Sequence, residues 1–219
     1  MNTRTRPDRT AWRRLTCAAG KLLALIAVGA ALAAAAESAE RSPQEVIETF
    51  HAELLSVMKA ADELGYEGRF KKLTPIVSSV FDTRFMAQKS IGRYWKTISE
   101  KGQKRLLDTF RRYTVANYAG RFNAYTGEEF QTLGEEPSLR GTTLVHTILI
   151  IPADDDVRLD YRVRLVDGEW KIIDIYLDGT VSELAMRRSQ YSSLIRREGL
   201  DALIEALEEK MDEFSEGGE

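Results

Sequence analysis

Arg158-Leu159-Asp160-Tyr161-Arg162-Val163-Arg164-Leu165, then Asp167-Gly168, then Trp170-Lys171-Ile172-Ile173-Asp174-Ile175-Tyr176-Leu177, is the stretch that decides the fold. Leu159, Tyr161, Val163 and Leu165 occupy every second position, so they share one face of a strand and the charged residues take the other. Asp-Gly between two such runs is a two-residue hairpin signal, because the favoured turn needs positive φ at both central residues. The two runs therefore pair antiparallel. Working outward, residues 130–134 read as a short strand and residues 142–151 as a long one, which predicts an antiparallel sheet of about four strands.

On either side of this sheet the period changes to that of a helix. Ser42-Pro43-Gln44-Glu45 is a capping box with proline at the first helical position. Ile47, Phe50, Leu54, Val57, Ala61 and Leu64 then recur at spacings of three and four, and Gly65 ends the pattern. Residues 66–79 predict a second helix, bent or restarted around Pro75. Residues 81–96 predict short helical pieces broken at Gly92, with Tyr94-Trp95 as an apolar plug. Residues 99–125 predict a long helix with Leu106, Phe110, Tyr113, Ala116 and Ala119 on one stripe. Its other face carries Lys101, Lys104, Arg105, Arg111 and Arg112, either a solvated face or a docking surface for an acidic partner or lipid headgroups. Residues 180–198 and 200–211 predict two closing helices separated by Gly199. Helices, then sheet, then helices give an α+β single domain over residues 43–212, after a polar leader (37–42) and before a frayed tail (213–219).

Residues 1–36 read as a cleaved secretory signal. Arg4, Arg6, Arg9, Arg13, Arg14 and Lys21 form a basic region, and residues 22–36 form an apolar run ending in alanines. That run is short for a membrane span, although an uncleaved anchor is the alternative. Its removal takes six basic residues and one acidic residue, moving the net charge from −3 to about −8. A chain this acidic is poorly suited to neutralising a phosphate backbone, so nucleic acid is not an expected partner. The sole cysteine, Cys17, leaves with the signal, which excludes disulfides, zinc–thiolate sites and thiol nucleophiles from the mature chain.

The residues offer little to catalysis. His51 lies inside a helix and His146 inside a strand, without metal-ligand spacing. Asp154-Asp155-Asp156 suggests calcium less than a solvated turn, and there is no nucleophile elbow or phosphate-binding glycine loop. No metal and no cofactor are expected. An enzyme here would depend on isolated carboxylates such as Asp160 or Asp174 inside a cavity. What stands out is apolar surplus. Residues 144–151 and 172–177 are apolar beyond strict alternation, so those strands are either covered on both faces or help to wall an apolar cavity, with Met86, Met186 and Met211 giving the wall adaptability.

Several runs resemble one family. Val80-Phe81-Asp82-Thr83-Arg84-Phe85-Met86-Ala87, Ile91-Gly92-Arg93-Tyr94-Trp95-Lys96, Phe110-Arg111-Arg112-Tyr113 and Tyr118-Ala119 come first. Asp160-Tyr161-Arg162, Gly168-Glu169-Trp170-Lys171-Ile172-Ile173-Asp174 and Arg188-Ser189-Gln190-Tyr191 follow in order. Together, over residues 43–211, they resemble the MlaC or toluene-tolerance family, periplasmic auxiliary proteins of a lipid-transport ABC system. Family members typically read Glu-Gly-Val-Ser-Leu where this chain has Asp178-Gly179-Thr180-Val181-Ser182-Glu183-Leu184, a variant that looks like the hopanoid-associated, HpnM-like branch.

The resemblance implies a soluble, monomeric periplasmic carrier rather than an enzyme. It would hold a phospholipid or hopanoid-like lipid and shuttle it between membrane-bound transport proteins of the inner membrane, the outer membrane or both. The rival readings are a cavity enzyme acting on a polycyclic lipid precursor and a scaffold that binds no lipid. The expected lipid-binding lining is Phe85, Trp95, Phe110, Leu149, Tyr161, Val163, Ile173, Ile175, Met186, Tyr191 and Leu194. Arg93, Arg187 and Arg188 are expected at the headgroup or a partner, with surface salt bridging as the alternative.

Overall fold

A computed structural model describes residues 41–152 and 154–217. The segment expected to be the signal, and most of the leader, lie outside the described residues. Helix α1 (Pro43–Lys59) begins as its sequence dictates. Ser42 Oγ accepts from the Glu45 amide at 3.2 Å, and a Glu45 carboxylate oxygen accepts from the Ser42 amide at 2.7 Å. Its stripe of Ile47, Phe50, Leu54 and Val57 is buried. The apolar pattern continues to Leu64, but the helix stops at Lys59, and α2 (Ala61–Val80) takes over. The glycine break therefore falls inside α2, where Gly65 adopts φ 56° and ψ −178°. Pro75 produces no break. It keeps helical angles on the exposed side of α2, where the backbone group that its ring leaves unpaired can meet water.

Asp82 starts α3 (Thr83–Ile91) by accepting from the Phe85 amide at 2.8 Å. Gly92, at φ 56°, ends it, and a single 3₁₀ turn (Gly92–Lys96) leads towards α4 (Glu100–Arg121). Arg69, only 2% exposed, joins α2 to α4: its Nε donates to the Ala119 carbonyl at 2.9 Å, and its Nη1 donates to the Ala61 carbonyl at 3.2 Å. The basic side of α4 faces solvent and pairs locally, Arg105 with Asp201 at 2.6 Å and Arg112 with Glu208 at 3.8 Å. It is a solvated face laced to the last helix.

The sheet is an antiparallel meander: β1 (Glu129–Ser138), β2 (Thr142–Ile150), β3 (Val157–Val166), β4 (Glu169–Leu177) and the two-residue β5 (Val181–Ser182), adjacent in that order. The turn at Asp167-Gly168 has φ 50° and 82°, with Val166 paired to Glu169 across it. Strand β1 does not stop at Gly134 as the pattern suggests. A bulge at Leu133 breaks its alternation, and Pro137 is tolerated because β1 is an edge strand. A second bulge explains part of the apolar surplus in β4. Arg162 pairs with Asp174 and Val163 with Ile172, so Ile173 is one extra residue in the strand.

Helix α5 (Glu183–Glu216) is divided at Gly199, where φ is 90° and ψ −178°. It continues to Glu216, and Phe214 sits 6.2 Å from the Tyr113 ring, so residues 213–216 of the tail expected to fray are helical. Among the described residues, no helix is long and apolar enough to cross a membrane. The helices gather on one face of the sheet, where Phe50, Leu106, Phe110, Val145, Val163 and Ile172 form a fully packed core.

Candidate functional site

Part of the sheet's inner face is not filled. A cavity of about 350 Å³ lies between β2–β4 and the helices. Its sheet wall is Leu149 of β2, Val157, Leu159 and Tyr161 of β3, and Ile175 and Leu177 of β4. Register explains this set: Tyr161 pairs with Ile175, Leu159 with Leu177 and Leu149 with Val157, and paired residues share a face. The opposite wall is more polar. Helix α4 contributes Thr114, Asn117, Tyr118 and Arg121, a single stripe at helical spacing, while α5 contributes Glu183 and Arg187.

Asp174 fixes where α5 starts. It is on the outer face of β4, and its carboxylate accepts from the Leu184 amide at 3.0 Å and the Ser182 hydroxyl at 2.6 Å. Ser182 Oγ in turn accepts from the Ala185 amide at 3.0 Å. With its first turn tied to the sheet, α5 presents Glu183 and Arg187, four residues apart, on one side. Arg187 Nη2 donates to Glu183 Oε2 at 2.9 Å, with the side chains only 12% and 20% exposed. The guanidinium also lies 5.8 Å from the Phe110 ring and 5.6 Å from that of Tyr113.

An aromatic group forms one end of the cavity. Phe81, Tyr118 and Tyr161 all line it, and all three pack on the buried ring of Phe50, at centroid distances of 5.4, 5.3 and 6.3 Å. Behind Tyr161, His51 stacks on Phe130 at 3.9 Å and shares a 3.0 Å hydrogen bond with the tyrosine hydroxyl. Burial pushes the His51 pKa down to about 3, so the ring is neutral. Burial likewise pushes the hydroxyls of Tyr118 and Tyr161 upward, and they stay protonated. His51 is thus a structural residue, as a lone helix histidine suggests.

Of the expected lining, Leu149, Tyr161 and Ile175 face the cavity, and Arg187 joins them. The other residues sit elsewhere. Phe110 and Val163 are wholly buried in the packed core, and Tyr191 is buried beside them. Ile173 is carried out of line by the β4 bulge, while Trp95 and Leu194 pack half-buried against the core from outside. Phe85 is covered by the Arg164 guanidinium at 4.3 Å, and Met186 is 40% exposed. Arg93 lies on the surface, over the Tyr94 ring at 5.1 Å. Arg188 is exposed and packs so close to Gly92 that an added Cβ there would meet its Nε at 3.1 Å.

The sequence reading missed Leu159 although it shares the alternating face of Tyr161. It missed Asn117 and Glu183 because polar residues on a core-facing side break the apolar stripe that marks such a side. The carboxylates on which an enzyme reading depends are not in the cavity. Asp160 and Asp174 project from the opposite sheet face, Asp160 held by Arg158 at 3.0 Å and His146 at 3.0 Å. Asp154, Asp155 and Asp156 are exposed, and no cluster fit to hold a metal ion occurs among the described residues.

Residues 48–209 match the family described as MlaC protein. No curated protein sequence matches the chain. Among solved structures, a phospholipid-binding protein from Ralstonia solanacearum, determined in complex with a phospholipid, superposes with a TM-score of 0.70. The two are 20% identical, over 80% of this chain and 99% of the other.

Proposed function

The chain belongs to the MlaC family, and on that footing we propose that it is a lipid carrier whose cargo sits between sheet and helices. The observation that carries this reading is the cavity of about 350 Å³ whose sheet wall is aliphatic but for Tyr161. A lipid seated there would take this apolar wall out of water. The cavity falls near the small end of the range of about 300–1,000 Å³ for ligand sites. A single acyl chain or a fused-ring body suits it, and a second acyl chain requires the helices to move apart from the sheet.

Burying several hundred Å² of lipid at about 25 cal/mol per Å² contributes on the order of 10 kcal/mol before the costs of association. That is enough for a carrier to hold a lipid outside a bilayer without a nucleotide of its own. The cargo in this reading is a phospholipid or a hopanoid-like lipid. The phospholipid bound to the Ralstonia solanacearum protein favours the first, and the departure at Asp178 to Leu184 from the family's usual run favours the second. The carrier works in the periplasm, reached through cleavage of residues 1–36, and exchanges lipid with membrane-bound transport proteins.

Native mass spectrometry of gently purified protein, with analysis of its organic extract, tests the proposal. A stoichiometric lipid adduct is expected. Unliganded protein with an empty extract would overturn it.

A further inference from the structure

The cavity has a mouth and a blind end, and the three elements along it agree on which is which. On β3, Val157 and Leu159 are half-buried, Tyr161 is buried, and Val163 beyond them lies in the packed core. On α4, Arg121 is exposed, Tyr118 and Thr114 are buried, and Phe110 follows in the core. On α5, half-buried Glu183 and Arg187 lead to Tyr191 in the same core. The space therefore runs lengthwise between strand and helices, open beside Val157 and Arg121 and stopped short of Val163 and Phe110.

Phe81 and Met86 close the blind end. Phe81 is held by its bridge to Ile172, which pairs with Val163, and its ring packs on Phe50. Met86 sits in the first turn of α3, behind the Asp82 cap, and is only 2% exposed. Its unbranched thioether is the more yielding half of the stop.

The depth follows from backbone geometry. Strand β3 advances about 13 Å from Val157 to Tyr161. Helix α4 advances about 10 Å from Thr114 to Arg121. An extended chain gains about 1.2 Å per bond, a third of the span of an extended residue, so that depth matches roughly eight to eleven carbons. Methylenes inside leave water, and those beyond the mouth stay in it. We infer that the cavity measures its cargo: an alkyl tail enters methyl end first, roughly eight to eleven of its carbons are buried, and Met86 sets the stop. This inference rests on the carrier reading and adds the length of tail that the site rewards.

Displacement of a fluorescent apolar probe, N-phenylnaphthylamine, from delipidated mature protein by alkylphosphocholines of six to fourteen carbons tests it. The series is used below its micelle concentrations, and its bulky polar head stays at the mouth. Affinity is expected to rise about fourfold per methylene up to the depth of the cavity and then to level off. Met86→Ala, which deepens the blind end, should move the break about two carbons longer. Thr114→Leu, which fills that end from α4, should move it about one carbon shorter. Circular dichroism confirms that each variant is folded, and either one alone suffices. An unbroken rise through fourteen carbons would overturn the inference and leave the carrier reading standing. So would a break that stays in place in a folded variant. Failure of the whole series to bind would overturn both.

Discussion

The inner face of the sheet has two halves that meet at Tyr161. Towards β1 and the first helix, space is filled: Phe50 makes near-perpendicular ring contacts with Phe81, Tyr118 and Tyr161, and His51 is clamped between Phe130 and Tyr161. Towards the C-terminal end of β4, Leu159, Ile175 and Leu177 face Asn117, Glu183 and Arg187 across open space. Strands β2 to β4 contribute mainly aliphatic residues to both halves. What differs is the helix side. Aromatic rings interdigitate with a β-branched wall, whereas an ion pair held by its own hydrogen bond cannot collapse onto leucines without losing hydration. The cavity persists because the groups opposite it are wrong for closing it.

If that division is right, the filled half carries the stability. Phe50→Ala should have the largest effect, a loss of about 3–5 kcal/mol in urea unfolding, because it empties the hub of the aromatic group. A loss under about 1 kcal/mol would mean that the halves are not distinct.

Acid should act on the same half. His51 has a folded pKa of about 3 against 6.5 when unfolded, so the unfolded chain takes up a proton that the native one refuses. Its contribution to stability is therefore complete above pH 6.5 and is lost as pH falls towards 3, at up to roughly 1.4 kcal/mol per pH unit. Urea midpoints measured between pH 7 and 4 should fall accordingly. The His51→Gln variant should be less stable at pH 7 but show a flatter profile. A profile of unchanged steepness in that variant would remove His51 as its source.

How far the sequence reveals this division can be seen residue by residue. The period-two run from Leu159 to Leu165, the Asp167-Gly168 turn, the Ser42 capping box and the breaks at Gly92 and Gly199 are local chemistry, and each appears where the pattern puts it. The bulge at Ile173 is not local. Ile172-Ile173 reads as a strand apolar on both faces, and only its pairing with β3 shows that one isoleucine is an insertion. Phe110 and Val163 read as cavity lining because an apolar position facing a core looks the same whether the space opposite is filled or empty. That depends on which helix residue arrives there. For Glu183 and Arg187 the arrival is set by the Asp174 cap, nine residues before Glu183 on another element.

The sharpest test of the comparison places one residue in each half. Val163 is fully buried in the packed core, and Leu159, four residues earlier on the same strand face, borders the cavity. Val163→Trp should cost about 1–3 kcal/mol or more, because the added ring has no room. Leu159→Trp should cost less than about 1 kcal/mol, because its ring enters existing space and gains apolar contact there. Lipid content should move the other way: little changed in folded Val163→Trp protein and at least halved in Leu159→Trp, read by native mass spectrometry of the same preparations. Equal destabilisation by the two substitutions, with cargo retained in both, would show that the ligand lies elsewhere. The two positions differ by two steps of the same alternation, so strand propensity and face cannot account for a difference between them, and only the space opposite can.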